Sequence, residues 1–109
     1  MSVNWTTLYQ GVLTGSPASI YAPGAALQAA IHAANVWNPT AGALTLNLYI
    51  VPNSGTANDT TRVVKVSIPA GTHLAIADII NHKIVNPSAL YADGNGMTLT
   101  ISGAVATAS

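Results

Sequence analysis

Leu44-Thr45-Leu46-Asn47-Leu48-Tyr49-Ile50-Val51 decides how this chain is read. Leu44, Leu46, Leu48 and Ile50 fall on one side of a two-residue period, and Thr45, Asn47, Tyr49 and Val51 on the other. A strand turns successive side chains to opposite faces, so the octapeptide predicts a strand with its leucine face on a core. Working outward, the pattern recurs. Met97, Leu99 and Ile101 alternate with Thr98, Thr100 and Ser102; Val64, Val66 and Ile68 alternate with Val63, Lys65 and Ser67. His73 to Ile80 is a further expected strand, with Leu74, Ile76 and Asp78 opposite Ala75, Ala77 and Ile79. Trp5 to Leu13 is rich in strand-forming residues.

Turn chemistry separates these runs. Pro39-Thr40-Ala41-Gly42, the polar stretch Pro52 to Thr60, Pro69-Ala70-Gly71 and Asp93-Gly94-Asn95-Gly96 all carry Pro, Gly, Asn or Asp where a turn needs them. Ala25 to Ala34 has good intrinsic helix propensity. Yet Leu27, Ala29, Ile31 and Ala33 alternate with Gln28, Ala30, His32 and Ala34, and the run ends at Asn38-Pro39, so a strand is preferred. Strands at short spacing predict an all-β chain. The expected fold is a single β-sandwich domain over 1–109 of about seven or eight antiparallel strands, jelly-roll-like or immunoglobulin-like. Residues 1–16 are expected as an N-terminal arm or edge strand.

Charge is almost absent. Arg62, Lys65 and Lys83 are the only basic residues and Asp59, Asp78 and Asp93 the only acidic ones, so charged residues make up 6% of the 109. An ordinary soluble domain holds roughly a quarter. Such a surface has little repulsion to keep copies apart, which points to a chain that meets other protein. A net charge of zero gives no footprint for nucleic acid and no basic patch for an anionic membrane, so neither partner is expected. No signal peptide or spanning segment is expected from the first residues or from the interrupted apolar stretch Ile20 to Trp37.

No constellation specifies a chemistry. Zero cysteine excludes disulfides and thiolate metal sites. His32, His73 and His82 lack metal-ligand spacing, and Asp93-Gly94-Asn95-Gly96 lacks the closing Glu of a calcium loop. There is no G-x-S-x-G elbow and no Gly-rich phosphate cradle. Asp78 and Arg62 are a candidate cross-strand ion pair. The expectation is a non-enzyme with no catalytic residue, metal or cofactor. Phe is absent, so every aromatic residue carries a polar handle, as suits an interface that is dry at one end and wet at the other. Trp5, Trp37, Tyr49 and Tyr91 are the candidate interface residues. For Trp37 core packing is preferred and the interface is the alternative, whereas Tyr49 should point away from the face that Leu46 and Leu48 fill.

Three segments read together carry a resemblance. They are Ile31-His32-Ala33-Ala34-Asn35-Val36-Trp37-Asn38, then Leu44 to Pro52 with Asn53-Ser54-Gly55-Thr56-Ala57, then Val66-Ser67-Ile68-Pro69-Ala70-Gly71. The pattern resembles small β-sandwich proteins among the structural genes of tailed bacteriophages and prophages. The resemblance spans roughly residues 19 to 105; the Ala-rich 25–34 departs from it. It implies a virion location and a role in capsid decoration, binding across subunits of the major capsid protein, with other virion proteins as further partners and a homo-oligomer, dimer or trimer. The alternatives are a tail, baseplate or fibre module, and a carbohydrate-binding β-sandwich.

Overall fold

The computed structural model describes residues 3–107. Nine strands run in chain order: β1 Val3–Val12, β2 Ala18–Tyr21, β3 Leu27–Asn38, β4 Leu44–Val51, β5 Arg62–Ile68, β6 Thr72–Ala75, β7 Lys83–Val85, β8 Ala89–Asp93 and β9 Thr98–Thr107. A single turn of 3-10 helix, Ala77–Ile79, separates β6 from β7. The chain is an all-β sandwich, as its alternation predicts. The Ala-rich segment is strand: the alternating burial of Ala29 and Ile31 outweighs helix propensity, because a strand here buries apolar surface against β4 and β9 neighbours.

The pairings are nested. β4 pairs with β5, β3 with β6 and β7, β2 with β8, and β1 with β9, all antiparallel. This is one long two-stranded ribbon folded at the β4–β5 turn. Rolling it up adds the pairs β3–β9 and β4–β8 and yields two sheets, β1-β9-β3-β6/β7 and β2-β8-β4-β5. That is jelly-roll connectivity, which settles the choice against an immunoglobulin-like order. β6 and β7 share one edge of the twelve-residue β3, so nine segments fill eight strand positions.

Between the sheets lie Leu46, Leu48, Ile68 and Leu90 from one side and Ile31, Val36, Leu99 and Ile101 from the other, with Met97, Ile79 and Ile84 closing the ends. The strand expected over His73 to Ile80 stops at Ala75. Ile76 and Ile79 are both buried, three residues apart, and a helical turn brings them to one side where a strand would oppose them. Leu74, expected on the apolar face of that strand, is exposed at the sheet edge.

Two local devices hold the roll. Asn38, fully buried at the end of β3, donates from Nδ2 to the carbonyls of Gly42 and Ile68 and accepts at Oδ1 from the Thr40 amide and hydroxyl. All four of its hydrogen-bonding positions are used. Gly103 on β9 allows a close approach to β3: a Cβ there would stand 2.1 Å from the Ala30 carbonyl oxygen. The neighbouring bulge, at Ile31 to Ala33, turns His32 and Ala33 outward.

Candidate assembly surface

The outer face of the β1-β9-β3-β6/β7 sheet can be built row by row from the registers. At one end Trp5, Ala104, Ala30 and Lys83 lie side by side on β1, β9, β3 and β7. The adjacent row is Val3, Ala106, Gln28 and Val85. The small alanines in the middle leave a shallow dish of about 280 Å³ between Trp5 on one side and Lys83 on the other. At the far end the row is Val12, Thr98, Trp37 and His73.

Each tryptophan meets a histidine. Trp37 stacks on His73, its direct cross-strand neighbour, with ring centroids 4.1 Å apart and planes 21° apart. Trp5 meets His32 at 4.5 Å with a 40° tilt, although β9 runs between their strands. Two things allow this second contact: the bulge turns His32 outward, and Ser102 and Ala104 on β9 are too small to separate the rings. Such pairs fix indole orientation at a surface.

Five large apolar side chains are exposed among the described residues, and Val3, Trp5, Val12 and Val85 all lie on this face. Trp5 is 70% exposed and Val12 64%. The rest of the face includes Thr7, Gln10, Thr100, Ser102, Ala33, Asn35 and Ala75, and Lys83 is its one charged residue.

The opposite sheet carries three of the six charged residues, Arg62, Lys65 and Asp93. On its outer face Asp93 accepts from Asn47 Nδ2 at 2.9 Å and from the Tyr49 hydroxyl at 2.9 Å. Arg62 donates to Asn47 Oδ1 at 3.2 Å, pairs with Asp59 and lies over the Tyr49 ring at 5.9 Å. Lys65 lies beside Asn47 on β5. The ion pair of Arg62 is thus with Asp59, three residues away, and not with Asp78, which sits in the 3-10 turn. Burial pushes the Tyr49 hydroxyl above its ordinary value of 10.0; the hydrogen bond to Asp93 and the charge of Asp93 push the same way, and Arg62 opposes them. Burial also raises Tyr21.

The four sequence-predicted interface residues therefore divide. Trp5 and Trp37 share the charge-poor face, at opposite ends, so Trp37 is not in the core: its register with Thr98 turns it outward onto His73. Tyr49 and Tyr91 are cross-strand neighbours on β4 and β8, in the other sheet. Tyr49 points away from the leucine core as expected, but it is only 6% exposed, because the Asp93, Asn47 and Arg62 side chains gather around it. It is a structural residue of the polar network and offers little surface to a partner. Val3, Val12 and Val85 were missed. The signal for Val12 was present in the strand-rich stretch Trp5 to Leu13, but their shared face follows only from pairing across the sheet. Among the described residues no three metal-ligating side chains come together.

The sequence matches no protein-family model and no curated protein. Among solved structures, a chain of the Bacillus endospore appendages, described as a novel family of disulfide-linked pili, superposes with a TM-score of 0.55 at 12% identity, over 99% of this chain and 88% of that one. A chain of the icosahedral IBDV viral particle gives 0.43 at 15% identity, over 95% of this chain and 30% of that one. A chain of infectious bursal disease virus strain Gx gives 0.44 at 17%, over 95% and 31%. The likeness to the appendage chain is one of fold. This chain has no cysteine with which to form disulfides.

Proposed function

We propose that this chain is a structural subunit of a virion, a bacteriophage capsid decoration protein that grips neighbouring capsid subunits through the outer face of the β1-β9-β3-β6/β7 sheet. The observation that carries the reading is the concentration of exposed Val3, Trp5, Val12 and Val85 on a face with a single charged residue. Burying such a face strips few strongly hydrated groups and immobilises few long side chains. Two anchors in tryptophan, held by histidines, surrounded by Thr, Ser, Asn and Ala, match the composition of a specific interface core with a polar rim. The role is mechanical, contact area added across subunit junctions, and it asks for no catalysis. A tail or fibre position would use the same face; decoration is preferred because a sheet face of this kind suits a broad flat contact.

A second reading, a subunit of a filament, is favoured by the fold shared with the appendage chain. A filament of this chain would be held without disulfides, since cysteine is absent.

The test is cryo-electron microscopy of virus particles from the host that carries the gene, with and without this protein, and of the purified protein at high concentration. Density for the jelly roll on the capsid, its Trp5–Trp37 face inward, is expected. The double variant Val12→Lys/Val85→Lys should keep its fold and lose attachment. Particles that never contain the chain, or a double variant that attaches like the parent, overturn the reading; ordered filaments of purified protein favour the second.

A further inference from the structure

The four sheet edges are unequal. β2 has four residues and lies between Pro17 and Pro23; β6 and β7 have four and three, with Lys83 on β7. β5 has seven, carries Arg62 and Lys65 and ends at Pro69. Short length, charge and proline are the usual means by which edges are kept from pairing. β1 has none of these. It has ten residues without charge or proline, and among the described residues it pairs with β9 alone. Its one protective feature is a bulge between Thr7 and Tyr9, which leaves 3–7 as a regular stretch.

The hydrogen-bond alternation says which amides are free. The Ile31 amide bonds to the His82 carbonyl, away from β9, so its β9 partner Gly103 turns its amide toward β1. Gly103 faces Thr6. Thr6 and Asn4 therefore bond to β9, and Val3, Trp5 and Thr7 turn their N–H and C=O groups to the open edge. The same three residues carry the side chains of the charge-poor face.

We propose that β1 is a pairing edge for a second copy of this chain, forming a two-fold dimer with antiparallel strands centred on Trp5. In that register Val3 meets Thr7 of the second copy, Trp5 meets its own equivalent, and Thr7 meets Val3 of the second copy. Each is a pair of the hydrogen-bonded kind, so the ladder supplies about six main-chain hydrogen bonds. Specific interfaces carry roughly five to fifteen. A second copy is the occupant because an antiparallel pair of identical strands is self-complementary and closes. Nor does any charge on β1 repel its equivalent across the axis. The pairing also joins two charge-poor faces into one surface with the two Trp5 rings at its centre. It concerns the strand edge, and so stands or falls separately from attachment through the face.

The test is amide hydrogen exchange on the intact protein over a range of concentrations, alongside sedimentation. The Val3, Trp5 and Thr7 amides should gain protection as a dimer forms, while the exposed amides of the Pro52 to Thr60 loop stay unchanged. Thr7→Pro removes one edge donor per copy and should weaken the dimer at least about tenfold. Val85→Lys, at the far side of the face, should leave the dimer intact while impairing particle attachment. Should Thr7→Pro fail to fold, the exchange experiment on the parent chain decides alone. A monomer at every concentration, or a dimer in which those three amides exchange as freely as loop amides, overturns the proposal. Particle attachment that survives Val85→Lys, with the dimer intact, would count against the face only.

Discussion

Asn38 Nδ2 donates to the main-chain carbonyl of Ile68 at 2.9 Å, across thirty residues of sequence. That bond ties the end of β3, in one sheet, to the end of β5, in the other, and the Gly71 amide closes the corner on the Asn38 carbonyl at 2.8 Å. Asn38→Ala would leave the buried Ile68 carbonyl without its partner and free the Thr40 turn. The expected loss is about 1–3 kcal/mol, read from urea unfolding. An unchanged midpoint would show that water replaces the amide without penalty.

Leu48 is fully buried between the sheets. Leu48→Ala removes apolar contact and leaves a cavity, and about 2–5 kcal/mol should be lost. That is a large share of a small domain's stability. A loss under about 0.5 kcal/mol would contradict the assignment of this face to the core.

Gly103→Ala should destabilise by about 1–3 kcal/mol or more, since the new methyl meets Ala30 main chain, which cannot move without disturbing the β3–β9 ladder. Gly42→Ala is the control: nothing lies within 4 Å of a Cβ there, and the change should stay within about 0.5 kcal/mol. Equal effects would show that β3 gives way at its bulge.

Alkali should weaken the fold through Tyr49. Its hydroxyl is held above 10.0 by burial and by Asp93, so the folded state keeps its proton after the unfolded state has lost it. Stability is therefore fully present below pH 10 and declines as pH rises from there through the folded value. Tyr21 adds to the decline in the same direction. Thermal melts above pH 10 should fall less steeply for Tyr49→Phe than for the parent. A parallel fall would assign the loss elsewhere.

Association should be nearly indifferent to salt. The face offers one charged side chain, Lys83, so few ion pairs form and few counterions are released. Sedimentation and particle-binding constants should change by less than about threefold between low and high salt. A steep decline would mean that the Arg62 and Lys65 sheet makes the contact.

How far the sequence could be read depended on strand length and on partners. Leu44–Val51 and Arg62–Ile68 were legible to the residue, because each strand carries its apolar alternation, buried or half-buried, over its whole length. β2, β7 and β8 were not, since Ala18–Tyr21 and Lys83–Val85 are too short to show a period and Ala89–Asp93 shows it with only Leu90 as a large apolar residue. The site was half legible. Trp5 declared itself by residue type, but Trp37 could be told from a core residue only by its register, and Tyr49 could not be placed, because its cover is Asp93, forty-four residues away. Which residues share a face is a property of register, and register between distant strands is written in no local pattern.

The nested pairing also sets a clock. The partner of β1 is β9, the last strand described, and β9 also pairs with β3. During synthesis β1 must wait for the last described strand before it gains its neighbour, and β3, already beside β6 and β7, waits as long for its other one. Non-local pairing of this kind makes folding slow, because long loops close before contacts reward them. A chain without β9 therefore lacks the middle of the charge-poor face, and under the proposed function a truncated copy would have no continuous surface with which to dock. The proposed contact surface would be complete only when the ninth strand has gone in.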